Sequence, residues 1–183
     1  MRYTSAIIAS VVLAIVVMGC SKQPNKPEVS KTEAPEPAVS GRISQVLGAV
    51  VAEAEARGIA ETKPTLAAGD TVTLKGKVMG TMHPFVDGRA AVVIGDDTTI
   101  NSCDLMPDDH CRTPWDACCV ASEILQAGTA MIQIVDAEGQ VVKRGLKGIE
   151  GMRELSRMRV SGTVVSGGPE APLVVNAEAI ELL

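Results

Sequence analysis

Apolar side chains recur along this chain with two different periods. Ile43, Val46, Leu47, Val50, Val51 and Ala54 fall at i, i+3, i+4, i+7, i+8 and i+11, which predicts one apolar face of a helix over 41–58. Ser40 can cap its start and Gly58 can end it. Residues 59–69 then read as a connector. Beyond Gly69 the period falls to two. Val72, Leu74, Gly76 and Val78 alternate with Thr71, Thr73, Lys75 and Lys77, which predicts a strand with one buried and one wet face. Further strands are predicted over Ala90–Ile94, Thr129–Val135, Arg157–Val165 and Leu173–Leu182. The turn Asp136-Ala137-Glu138-Gly139 lets Val141 and Val142 fold back as a hairpin, with glycine at the position that accepts a positive φ. Leu146, Ile149, Met152 and Leu155 have helical spacing over a short element.

The predicted order is strand, strand, long insertion, strand, short helix, strand, strand. That order matches a mainly β fold, a five-stranded Greek-key barrel of the OB type, with its helix between the third and fourth strands. Gly76 and Gly162 inside strands suit the tight coiling of such a barrel. The cysteine-rich insertion lies between strands 2 and 3, and the amphipathic helix precedes the barrel. A β-sandwich would need seven strands, which the pattern does not supply.

The N-terminus belongs to a different problem. Arg2 is followed by an apolar run from Ala6 to Met18, broken only by Ser10 and shorter than the roughly 20 residues of a spanning helix. The run ends Val17-Met18-Gly19-Cys20, which resembles a bacterial lipoprotein lipobox. That resemblance implies a signal peptide over 1–19, lipidation of Cys20, and a membrane partner reached through the lipid anchor; several acyl chains hold firmly where one does not. Ser21 in place of an aspartate points to the outer membrane, facing the periplasm. Residues 20–40, with Pro24, Pro27, Pro35 and Pro37 among charges, cannot bury enough surface to order themselves and read as a tether. The barrel domain is expected over 70–183.

Composition narrows the function. Hydrophobic residues make up 46% of the 183, enough for a core, yet aromatics are only 2%: Tyr3, Phe85 and Trp115. Base-stacking platforms need exposed rings in a basic groove. Here the region from Asp70 onward holds 10 basic and 16 acidic residues, a net of −6, and the whole chain carries −5. Nucleic acid is therefore a poor partner. Lys143, Arg144, Lys147, Arg153, Arg157 and Arg159 form the one basic stretch, a candidate patch for an envelope protein or an acidic glycan, or else an ordinary solvated surface. No Gly-x-Ser-x-Gly elbow, phosphate-binding glycine loop or His-Glu-x-x-His occurs, so no catalytic residue is assigned.

The remaining chemistry is in the insertion, where Cys103, Cys111, Cys118 and Cys119 fall within seventeen positions. The run Cys111-Arg112-Thr113-Pro114-Trp115-Asp116-Ala117-Cys118-Cys119, with Cys103 upstream, resembles the Cys-x-Thr-Pro-Trp-Asp-x-Cys-Cys signature of a family of exported bacterial OB-fold-like lipoproteins. The resemblance spans about Val72 to Leu182. It implies an OB-like fold and an exported location, and no assigned activity. Ala117 stands where the signature carries an aromatic residue.

Two chemistries compete for these cysteines. In an oxidising compartment four thiols in a long loop are expected to form disulfides, which would make the domain a stapled, non-catalytic binding or structural module. Pairing adjacent Cys118 with Cys119 would strain the peptide between them, leaving Cys103–Cys118 with Cys111–Cys119, or Cys103–Cys119 with Cys111–Cys118. Each closure would contribute about 2–3 kcal/mol on a chain-entropy account. Trp115, between Cys111 and Cys118, is then expected to pack as a plug in the loop. The alternative is a zinc or copper site, or a thiol-redox centre, drawing on Cys103, His110, Cys111, Cys118 and Cys119. Asp108, Asp109 and His83 are nearby in sequence, His83 reading as an ordinary loop histidine.

Overall fold

The computed structural model describes residues 36–106 and 111–183; the predicted signal peptide, Cys20, the tether up to residue 35, and Pro107 to His110 lie outside the described residues. Five strands, β1 (Thr71–Lys77), β2 (Ala91–Gly95), β3 (Thr129–Gln133), β4 (Arg157–Ser166) and β5 (Leu173–Leu182), close into a barrel in the order β1-β2-β3-β5-β4. Every neighbouring pair is antiparallel except β3 with β5. That parallel pair, with Ala130 opposite Leu173 and Gln133 opposite Asn176, gives the barrel a mixed sheet. No described helix is long and apolar enough to cross a membrane.

Alternation produces the core. Val72 and Leu74 of β1, Ala130 and Ile132 of β3, and Met158, Val160 and Val164 of β4 are buried while their neighbours are not. β2 is covered on both faces and reads as a continuous apolar run, AVVIG. On β5 the buried series Leu173, Val175, Ala177 changes phase to Ile180. The register explains the change: Ser161 faces Ala179 and Gly162 faces Ala177, so Glu178 is a bulged extra residue. Gly162 is required at this bulge, since a Cβ there would lie 2.2 Å from the Asn176 carbonyl oxygen.

Among the described residues three α-helices accompany the barrel: α1 (Glu36–Leu47), α2 (Ile59–Thr62) and α3 (Ser122–Gly128). Ile43, Val46 and Leu47 of α1 are buried, and Arg42 Nε donates to the Val135 carbonyl at 3.2 Å. The helix expected over 41–58 thus begins earlier, within the last residues of the expected tether, and stops at Leu47. Gly48 closes its last turn through its N–H to the Ser44 carbonyl, 2.9 Å. Val50 is consequently 86% exposed instead of lying on the apolar face, and the chain next returns to helix as a 3-10 turn at Glu53–Glu55 and then as α2. The segment at Arg57 instead runs beside β1, with Arg57 N–H to Thr73 O at 3.1 Å and Lys75 N–H to Arg57 O at 2.9 Å.

The helix expected from Leu146 to Leu155, between β3 and β4, is a single 3-10 turn at Ile149–Gly151. Gly148, Glu150, Gly151 and Leu155 all take positive φ there, and that folds the segment back on itself while still burying Leu146 and Met152. The hairpin after β3 forms as its turn residues dictate: Val135 pairs with Val141, and Gly139 has φ +77°.

Candidate thiolate centre

The long β2–β3 connection is built from both ends toward the cysteines. At its start the buried Asp96 carboxylate accepts from the Ala60 N–H (3.0 Å), the Thr98 N–H (3.0 Å) and the Thr98 hydroxyl (2.6 Å), joining the exit of β2 to the first turn of α2. A 3-10 turn follows at Cys103–Leu105. The signature segment then runs back beside it: Cys103 N–H donates to Asp116 O and Asp104 N–H to Pro114 O, both at 2.8 Å. A turn from Thr113 to Asp116 reverses the chain, and the Asp116 carboxylate accepts the Ala117 N–H at 2.8 Å.

Beneath this loop lies a small second core of Met79, Ile100 and Ala117, with Trp115, Val120 and Leu125 packed against it. Trp115 is anchored twice to the segment after β1. Its carbonyl accepts the Gly80 N–H, and its indole N–H donates to the Met82 carbonyl, each at 3.0 Å. Ala117 is buried in this cluster.

Lys77 enters the same region. The alternation of β1 placed it on the wet face, but it is buried, because the cysteine loop covers that end of the strand. Its ammonium lies 3.3 Å from Asp104 Oδ1, which also accepts the hydroxyl of fully buried Ser102. Neither Lys77, Ser102 nor Asp104 stood out in the sequence. A lysine closing an alternating strand and an aspartate in an acidic loop carry no mark of their pairing.

These supports converge on sulfur. The Sγ atoms of Cys103, Cys111 and Cys118 all lie within 4.8 Å of one another. Cys103 Sγ is 3.8 Å from Cys118 Sγ, and Cys118 Sγ is 3.9 Å from Cys119 Sγ. Cys111 Sγ meets Thr113 Oγ1 at 3.3 Å. Solvent access rises through the set: Cys103 is buried, Cys111 half-buried, Cys118 and Cys119 exposed. Two sulfurs bonded to one ion at about 2.3 Å stand about 3.8 Å apart in tetrahedral and about 4.0 Å in trigonal geometry, whereas a disulfide needs about 2.0 Å. The Cys103–Cys118 separation of 3.8 Å matches shared coordination, and among the described residues no disulfide links the expected pairs.

The Cys118 thiol is held above its ordinary value. A hydrogen bond with Cys103 pulls it down, but the contact with Cys119, desolvation and the neighbouring thiols outweigh that pull. A cation among the sulfurs would favour their thiolate forms.

Of the other candidates, His110, Asp108 and Asp109 lie outside the described residues, and His83 is exposed. The basic stretch is largely engaged. Lys147 pairs with Glu154 at 2.5 Å and sits 6.0 Å over the Phe85 ring, Arg157 pairs with Asp97 at 3.1 Å, and Arg159 pairs with Glu181 at 2.9 Å and Glu53 at 3.3 Å. Arg144 bonds Ser40. No protein-family model matches the chain, and neither a curated protein nor a solved structure does.

Proposed function

We propose that this protein is a lipid-anchored component of the bacterial cell envelope whose OB-like barrel carries a thiolate centre for a soft metal ion, zinc or copper. The observation that carries the reading is the triangle of Cys103, Cys111 and Cys118 sulfurs within 4.8 Å. Thiolates select soft ions, and three of them converging on a loop braced by its own small core form a donor set that a mere solvated loop would not. The barrel order, with β3 and β5 parallel and the cysteine loop between β2 and β3, supports the OB-like assignment. Anchoring rests on the lipobox ending at Cys20, with the outer membrane as the destination. The role is binding; no catalytic residue is proposed, and in the basic stretch Lys147, Arg157 and Arg159 are already paired with acidic side chains.

A second reading keeps the expected staple. Cys103 and Cys118 are in van der Waals contact, as they must be before bonding in one of the two allowed pairings, and a stapled domain would serve as a non-catalytic binding or structural module. One experiment separates the readings: elemental analysis and thiol titration of the full chain purified from membranes, with and without reductant. About one zinc or copper per chain with titratable thiols supports the metal centre. Four protected thiols and no metal overturn it in favour of the staple. Equal incorporation of labelled fatty acid by the wild type and Cys20→Ala would remove the anchor.

A further inference from the structure

The sulfurs are not equivalent. Cys103, Cys111 and Cys118 form the mutual triangle, while Cys119 stands outside it and touches only its edge, 3.9 Å from Cys118. Solvent access runs from buried Cys103 to exposed Cys118 and Cys119. A structural zinc site closes four ligands around the ion and excludes solvent. Among the described residues this arrangement supplies three ligands and leaves the fourth thiol at the solvent face.

Resting on the thiolate-centre reading, we infer that the site is an exchange site for cuprous copper, with Cys103, Cys111 and Cys118 as the three-coordinate seat and Cys119 as the thiolate through which the ion enters and leaves. Monovalent copper is the soft ion that three thiolates satisfy, whereas zinc calls for a fourth ligand. Entry is a ligand substitution. The Cys119 sulfur bonds copper as a bond to the donor's ligand breaks, the Cys119 thiol proton passes to the departing ligand or to water, and copper stays monovalent throughout. Cys118, in contact with both Cys103 and Cys119, then bonds the ion as the Cys119 bond breaks, its thiol proton passing to the released Cys119 sulfur while the Cys103 and Cys111 thiol protons pass to water. The reverse sequence delivers copper to an acceptor.

The test uses the full chain in detergent, without oxygen and with reductant, loaded with one equivalent of cuprous ion. Removal is timed with a coloured cuprous chelator, and affinity is measured by competition with the same chelator. Cys119→Ser is expected to keep one copper per chain with affinity within about threefold, while transfer in both directions slows by about tenfold or more as its barrier rises. Cys103→Ser is expected to lose affinity by more than about 100-fold, beyond what an outer-sphere change costs. Transfer by Cys119→Ser at the wild-type rate overturns the entry role and leaves the metal centre standing. Loss of binding in Cys119→Ser overturns it differently, by making Cys119 a fourth seat ligand of a closed, zinc-like site. A wild type that holds no cuprous copper but binds stoichiometric zinc overturns the choice of ion alone, and one that binds neither overturns the thiolate-centre reading itself. Circular dichroism of each apo variant separates loss of a ligand from loss of the fold.

Discussion

Lys77, at the end of β1, and Asp104, one residue beyond the first cysteine of the loop, form an ion pair of 3.3 Å that ties the cysteine loop to the barrel wall. The lysine side chain is only 6% exposed and the aspartate 28%, so the two partners are unequal. Removing Asp104 strands a buried ammonium, while removing Lys77 leaves a carboxylate that water still reaches and Ser102 still donates to. Asp104→Ala is therefore expected to lower stability by about 2–3 kcal/mol, and Lys77→Met by less than about 1.5 kcal/mol. Urea unfolding of both variants and of the double mutant checks this. Equal losses in the two single variants would show that the ammonium is not the stranded group.

Asp96 performs a similar task where the loop leaves β2, with no cationic partner among the described residues. Its carboxylate accepts from three donors, two of them the backbone N–H groups of Ala60 and Thr98. Asp96→Ala should cost about 2–4 kcal/mol, because buried donors are left unpaired. Asp96→Asn keeps the shape but turns an amide N–H toward a donor, and should recover less than half of the loss. A denaturation midpoint for Asp96→Asn equal to the wild type would refute the donor accounting. Gly58→Ala should be damaging for a related reason, since its Cβ would stand 2.7 Å from Asp96 Oδ2.

The β4–β5 bulge makes a sharper contrast between two glycines. A Cβ on Gly162 meets the Asn176 carbonyl oxygen at 2.2 Å and the Ala177 Cα at 3.0 Å, both backbone atoms that cannot turn aside. Gly162→Ala is expected to destabilise by more than about 3 kcal/mol or to prevent folding, through overpacking. Gly145→Ala, whose nearest neighbour would be 4.0 Å away, should stay within about 0.5 kcal/mol of the wild type. Thermal melts of the pair test the claim, and a mild Gly162→Ala would mean that β5 can shift at Glu178.

The five strands were legible because period-two alternation is local and because β2, covered on both faces, stands out as an uninterrupted apolar run. Their closure was legible only through element order, since nothing local marks β3 as the parallel partner of β5. The helix over 41–58 was overextended for a specific reason. Val50, Val51 and Ala54 continue the spacing, but Gly48 had already ended the helix, and Val51 is buried without being helical. α3 was missed because seven residues with Ile124 at 45% exposure give the helical period too little to register. The cysteine types were evident, but their triangle depends on the Cys103–Asp116 and Asp104–Pro114 hydrogen bonds, which join residues a dozen apart. Lys77 shows the same limit in reverse: alternation put it in water, and the loop folded over it.

Lys63 links the fold to pH. It is the largest fully buried side chain, 2% exposed, and its ammonium donates to the Gln126 carbonyl, holding α3 against the segment after α2. Burial lowers its pKa, with Glu170 opposing the shift. The sign follows from linkage. Below the folded value both states carry the proton and the folded state bears the cost of a buried charge. As pH rises through the folded value the folded state releases its proton first, so the unfolded state binds more protons and stability increases until the unfolded lysine titrates near about 10.4. The wild type should therefore gain stability relative to Lys63→Met across the window between the lowered value and about 10.4, with a slope of at most about 1.4 kcal/mol per pH unit. Every other titrating group is common to both proteins and cancels in the difference. Urea unfolding of the two proteins at intervals from neutral to alkaline pH measures that difference, and a flat difference curve would show that burial does not perturb Lys63.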